Sequence, residues 1–166
     1  MNIILIGMRG SGKSTVGKIL SKKTAKTFYD LDSLLIQSEG ISITEIVQKY
    51  GWEYFREKES KLVERISKQI NAVIAPGGGA IIQKSNRDFL GKNGKFIFLK
   101  VSVNQILSRI SHNNNRPSLT GTKTFTEEIK DIWNERRTIY EQTSDITIDT
   151  DDKTPKEVVN EILKYL

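Results

Sequence analysis

Gly7-Met8-Arg9-Gly10-Ser11-Gly12-Lys13-Ser14 fits the pattern G-x-x-x-x-G-K-[ST]. It follows a short apolar run, Asn2 to Ile6, that reads as a strand buried on both faces. It precedes Lys13 to Lys23, where Val16, Ile19 and Leu20 recur at helical spacing. This order of strand, glycine-rich loop and helix restricts the chain more than any other feature. The glycines let the backbone curl until successive N–H groups point inward, which makes a cradle for phosphate oxygens. The helix behind it adds unpaired amides and the positive end of its dipole. Lys13 can bring a mobile charge to the β- and γ-phosphates, and the Ser14 hydroxyl can ligate Mg²⁺. A glycine-rich turn that merely contains Lys-Ser is the competing reading, and the flanking strand and helix outweigh it. The motif implies a nucleoside triphosphate with Mg²⁺ and leaves the phosphate acceptor open.

Strand and helix patterns then alternate. Phe28 to Leu31, Ala72 to Ala75, Phe96 to Val101 and the half-polar Ile146 to Ile148 read as strands. Leu34 to Gln37, Ile43 to Ile70 with a kink at Gly51-Trp52, Val103 to Ile110 and Phe125 to Gln142 read as helices. Pro155 suits the first turn of a closing helix that runs to Leu166. The alternation predicts the α/β class, with a mainly parallel sheet, helices on both faces and ligands beyond the carboxyl ends of the strands.

A length of 166 residues suits one compact domain, 1–166. His112 to Lys123 is polar and is expected to be a mobile loop, with a lid at 111–123. No apolar run approaches the roughly 20 residues that span a bilayer, so no membrane partner is expected. The N-terminal run lacks a basic flank and enters the glycine loop directly, as a strand does and a signal peptide does not. The absence of cysteine excludes disulfides and thiolate metal sites and makes the cytoplasm the expected setting. A net charge of +6 favours anionic ligands, although solubility alone can account for it. The basic residues are interspersed with acids, so nucleic acid is not expected as a partner.

The acceptor side rests on weaker signals. Asp30 and Asp32 form a D-x-D at the end of the second strand, where residues two apart point to one face. One carboxylate could hold Mg²⁺ or its waters, and the other could orient an acceptor hydroxyl and take its proton. Arg56 and Glu59 stand at helical i,i+3 spacing. They form either a surface ion pair or a guanidinium fork, fixed by Glu59, that clamps a carboxylate. Trp52, Tyr54 and Phe55 read as packing residues. Three glycines after the third strand, Gly77-Gly78-Gly79, cost entropy and pack nothing, which points to close approach of backbone to a small ligand. Arg116 in the polar loop and Arg136 in the next helix could bring positive charge to a transferring phosphoryl group.

Taken together, these residues resemble the shikimate kinase family over essentially the whole chain. The resemblance rests on the phosphate loop with Lys13-Ser14-Thr15, on Asp30-x-Asp32, and on Phe55-Arg56-x-x-Glu59. It rests also on the triple glycine, on Arg109 followed by Arg116-Pro117, and on Arg136 leading to Tyr140. It implies a fold like the nucleoside monophosphate kinases, a five-stranded parallel sheet in the order 2-3-1-4-5. It implies transfer of the ATP γ-phosphate to the 3-hydroxyl of shikimate, with Mg²⁺, toward chorismate and the aromatic amino acids, in a monomer.

By that resemblance Lys13, Asp32 and Arg116 are catalytic. Gly10, Ser11, Gly12, Lys13, Ser14, Thr15, Arg109, Arg116 and Pro155 bind ATP, with Arg109 and Pro155 on either side of the adenine. Asp32, Arg56, Gly78, Gly79 and Arg136 bind shikimate, with the substrate-binding region at about 31–60, and Ser14 and Asp30 serve the metal. The chain departs from the family pattern at Arg9, Ser118, Thr138 and Ile139. The competing functions are another small-molecule kinase such as a gluconate kinase, or an ATP-binding regulatory module without catalysis.

Overall fold

The computed structural model describes residues 1–110 and 123–166; the expected lid, except Lys123, and Arg116 lie outside the described residues. Strand β1 (Asn2–Ile6) is buried throughout, as its unbroken apolar run requires. It lies at the centre of a five-stranded sheet with β2 (Thr27–Asp30), β3 (Ala72–Ala75), β4 (Gly94–Lys100) and β5 (Ile146–Asp149). The order is β2-β3-β1-β4-β5 and every pairing is parallel. The order and direction are those that the resemblance implies.

Alternation along β1 divides the core into two layers. Ile4, Ile6 and Met8 join one cluster that also contains Phe55, Val63, Phe98, Ile106 and Tyr140. Ile3 and Leu5 join the other, with Val16, Leu20, Val159 and Ile162. The first layer lies under α2 (Leu31–Glu39), α3 (Ile43–Ser67), α4 (Lys84–Gly91), α5 (Val103–Ile110) and α6 (Phe125–Thr143). The second lies under α1 (Lys13–Thr24) and α7 (Pro155–Leu163).

Local chemistry sets the ends of these helices. Ser42 with Glu45, Thr124 with Glu127, and Thr154 with Glu157 each form a reciprocal capping box. Pro155 occupies the first turn of α7, as its missing N–H allows. Gly51 breaks α3 internally with φ 85° and ψ 168°, and the segment after it carries Trp52, Phe55, Arg56 and Glu59, which line one cleft. Helix α4 and the short 3₁₀ turn Ala80–Ile82 were not evident from the sequence. Lys84–Gly91 is mostly polar, with an apolar edge carried by Phe89 and Leu90.

One expectation is overturned. Asp30 and Asp32 do not share a strand face, because β2 ends at Asp30 and Asp32 stands in the first turn of α2. The cause is local. The Asp30 side chain accepts a hydrogen bond from the Ser33 N–H at 3.2 Å and so caps the helix at once.

Gly17 lies buried in α1 against the ring of Phe28, where an added Cβ would come 2.9 Å from Phe28 Cζ. Alanine is the better helix former by about 1 kcal/mol, yet here it meets an aromatic ring. Gly17→Ala should therefore destabilise the protein, by about 1–3 kcal/mol, in urea unfolding. A gain in stability would show that Phe28 yields without cost.

Candidate functional site

The carboxyl ends of all five strands converge on one rim. The phosphate loop leaves β1, Asp30 ends β2, the glycine run follows β3, and Thr150 follows β5. Gly10 and Gly12 take φ of 82° and 91°, a backbone region that side chains disfavour. Gly12 is the N-cap of α1, so the curled loop opens onto that helix's free amides. Lys13 folds back over the loop and donates to the carbonyls of Gly7 at 2.9 Å and Met8 at 3.0 Å. Its ammonium is thus held beside the cradle.

Asp30 has two tasks. One oxygen caps α2, and the other accepts a short hydrogen bond from the Ser14 hydroxyl. Two hard oxygen donors therefore meet at the edge of the loop. Magnesium usually takes only one or two protein oxygens and completes its shell with phosphates and water, so this pair fits it. Among the described residues there is no group of three acidic, histidine or cysteine side chains that could hold a metal on protein ligands alone.

A second cleft adjoins the first. Arg9, Asp32 and Gly78 line both. The second is walled by Trp52, Phe55, Arg56 and Glu59 of α3, by the glycine run, and by Glu128, Ile129, Ile132 and Arg136 of α6. Arg56 and Glu59 form an ion pair at 2.7 Å, and Glu59 is only 3 % exposed, so this is no surface bridge. Burial pushes the Glu59 carboxyl above the usual carboxylate range, against the pull of Arg56. Glu59 Oε1 and Arg136 Nε are buried without a hydrogen-bond partner among the described residues. A donor and an acceptor left open in a cleft flanked by two guanidinium groups suit a ligand with a carboxylate and hydroxyls.

The glycines belong to this geometry. A Cβ at Gly77 would lie 2.6 Å from Glu59 Oε1 and 2.8 Å from Asp32 Oδ1. At Gly79 it would lie 2.7 Å from the Arg56 guanidinium carbon. The run thus lets one side of the cleft close on bare backbone. Phe55 is buried, as packing requires, yet it and Trp52 both border the cleft and present their rings to Arg56, at 5.2 and 5.5 Å.

Arg109 and Pro155 border one groove beside Gly12 and Thr15. Arg109 also donates to the Gly10 carbonyl at 3.3 Å and to the Thr150 carbonyl at 3.0 Å, which ties the phosphate loop to the segment after β5. Sequence reasoning missed Glu128, a buried acid in the acceptor cleft. It follows Glu127, whose capping pattern is visible in the sequence, but nothing local marks the second acid as inward. Arg9, singled out as a departure, lies over the Phe125 ring at 5.4 Å and borders both clefts. Thr138 is exposed and Ile139 packs against the core; Ser118 lies outside the described residues.

A central β1, a Lys-Ser phosphate loop and an adjoining acceptor cleft define a P-loop phosphotransferase. The family model described as shikimate kinase matches residues 9–166. A shikimate kinase of a Sulfurihydrogenibium species is 42% identical over 162 residues, covering 98% of this chain and 95% of the relative. The solved "Shikimate kinase from Acinetobacter baumannii in complex with shikimate" is 31% identical with a TM-score of 0.93, covering 99% of this chain and 91% of that one. A gluconokinase from Sinorhizobium meliloti, at 20% identity and a TM-score of 0.59, shares the fold alone. The chain belongs to the shikimate kinase family.

The raised Glu59 has a consequence for stability. Its contribution to folding is fully present below the ordinary carboxylate range and is lost as pH rises through the raised value. Unfolding free energies of wild type and Glu59→Gln should therefore diverge, to the disadvantage of wild type, as pH rises above the ordinary carboxylate range. A constant difference would mean that Arg56 cancels the effect of burial.

Proposed function

We propose that this chain transfers the γ-phosphoryl group of ATP to the 3-hydroxyl of shikimate, as one kinase domain over 1–166. The observation that carries the substrate is the pair Arg56 and Arg136 in one cleft, with Arg136 Nε buried and open, beside the phosphate loop. Two planar forks suit a carboxylate better than a neutral sugar or a purine. Gly78 and Gly79 border the cleft, and Asp32 stands where the two clefts meet.

In the reaction Asp32 orients the acceptor hydroxyl and receives its proton. A bond forms from that oxygen to the γ-phosphorus as the bond to the β–γ bridging oxygen breaks, leaving ADP. Amides of Gly10, Ser11 and Gly12, with Lys13, Ser14 and Thr15, hold the phosphates. Ser14 and Asp30 would hold Mg²⁺, which neutralises phosphate charge when bound. Arg109 and Pro155 flank the adenine, and Arg116 serves the transferring group from outside the described residues. Among the described residues no helix is long and apolar enough to cross a membrane; the cytoplasm is the proposed setting and the monomer the proposed state.

The two acids divide the work. Asp32→Asn should abolish turnover while nucleotide affinity is largely kept, because the amide retains shape but cannot take the proton. Isothermal titration with ATP and Mg²⁺ separates the roles: if affinity collapses in Asp32→Asn and not in Asp30→Asn, the assignments are reversed.

The carboxylate clamp makes a stricter demand. Arg56→Lys or Arg136→Lys should each lower kcat/KM for shikimate by about one to two decades, equivalent to ~1.5–3 kcal/mol for a charge-assisted contact. An analogue lacking the carboxylate should be a comparably poor substrate of the wild type. Equal phosphorylation of analogue and shikimate would remove the clamp, and a panel of small hydroxy acids, gluconate included, would then identify the acceptor. No turnover of any acceptor would favour a binding module.

A further inference from the structure

The buried hydroxyl of Tyr140 has no part in the chemistry above, yet it touches the acceptor cleft from behind. Tyr140 is 1 % exposed and lies one turn after Arg136 on α6, on the same helical face. Its hydroxyl donates to the Gly78 carbonyl at 2.6 Å. Its ring stacks on Phe98 of β4, with centroids 5.2 Å apart and planes at 19°. The phenol is therefore fixed by the sheet at one end and by the glycine run at the other. Burial pushes it up to about 12, so it remains a hydroxyl donor throughout the neutral range, although Arg136 beside it pulls the other way.

Gly78 is the point where such a restraint matters. Gly77, Gly78 and Gly79 have no side chains to hold their peptide planes. The Gly78–Gly79 peptide is trans, since the described chain has no cis bond. Its carbonyl and the Gly79 N–H therefore point in opposite directions. Holding the carbonyl on Tyr140 fixes the direction of the Gly79 amide, and Gly79 lies against the Arg56 fork. Gly78 also backs onto the phosphate loop: a Cβ there would lie 3.3 Å from Arg9 N and 3.4 Å from the Gly7 carbonyl.

We infer that Tyr140 is a positioning residue for the acceptor, which sets the Gly78–Gly79 peptide and, through α6, the spacing between the Arg56 and Arg136 forks. This rests on the shikimate reading of the cleft. The residue touches no reacting atom, so its loss should show in acceptor affinity and leave nucleotide affinity intact.

The test uses the full chain, with shikimate and ATP as probes. Tyr140→Phe keeps the ring and removes the hydroxyl. It should raise the Kd and KM for shikimate about five- to twentyfold, the size expected for one buried hydrogen bond that orients others. KM for ATP should stay within about twofold. A purely structural role would lower Tm without that split, so Val159→Ala, which opens the core on the opposite face of the sheet, serves as the control. It should lower Tm and leave both affinities unchanged. If Tyr140→Phe does not fold, Phe98→Leu carries the test, because it keeps the hydroxyl but removes the ring that holds it. Unchanged shikimate affinity in the folded variant, or an equal loss for both substrates, overturns the inference. Failure of the wild type to bind shikimate overturns the functional reading instead, and the two failures are told apart by that first measurement.

Discussion

The close approach of two backbones, at Gly78 and at the start of the phosphate loop, governs the arrangement of the site. No side chain fits between them without forcing neighbours apart by tenths of an ångström. That contact makes the donor cleft and the acceptor cleft share a wall. It follows from the strand order, since β3 is hydrogen-bonded directly to β1 and the loops leaving their carboxyl ends must run side by side. A phosphoryl group moves only a short way between its two oxygens, so a shared wall is the geometry that in-line transfer requires. The long, kinked α3 and the capped α6 then need only present side chains to a position already fixed.

The features legible in the sequence were those written locally. The phosphate loop between strand and helix, the kink at Gly51, the start of α7 at Pro155 and the glycine run could each be read from residue type and spacing. The strand order came from resemblance, and the sheet has it. Features that depend on distant partners were harder to read. Asp32 reads as a strand residue until the capping bond from Ser33 to Asp30 is seen. Arg56 and Glu59 read equally well as a surface pair, because nothing in a five-residue window reports that Glu59 is buried. Glu128 faces residues of α3 about seventy positions away, and the Tyr140 bond to Gly78 joins residues 62 positions apart, beyond any periodicity. Helix α4 was missed because its polar majority hides a narrow apolar edge.

The charges of the acceptor cleft show why arginine and buried acid occur together there. Arg56 is held by Glu59, so one of its edges is satisfied while the fork remains partly exposed to the cleft. Without Glu59 a guanidinium beside buried backbone would leave its desolvation uncompensated. Arg136 is anchored otherwise, on a helix whose own capping box fixes its entry, with Nε left open. A bound carboxylate would complete both forks at once, and the cleft's inner charges would then cancel in pairs: two guanidinium groups against Glu59 and the ligand. Arg9 and Glu128 add one charge of each sign to the lining of the cleft. Asp32 stands where this cleft meets the phosphate-loop cleft. A neutral acceptor would leave the second fork without its counterion in a partly buried site, so discrimination against it arises from the enzyme's unpaired charge as much as from any contact the acceptor makes.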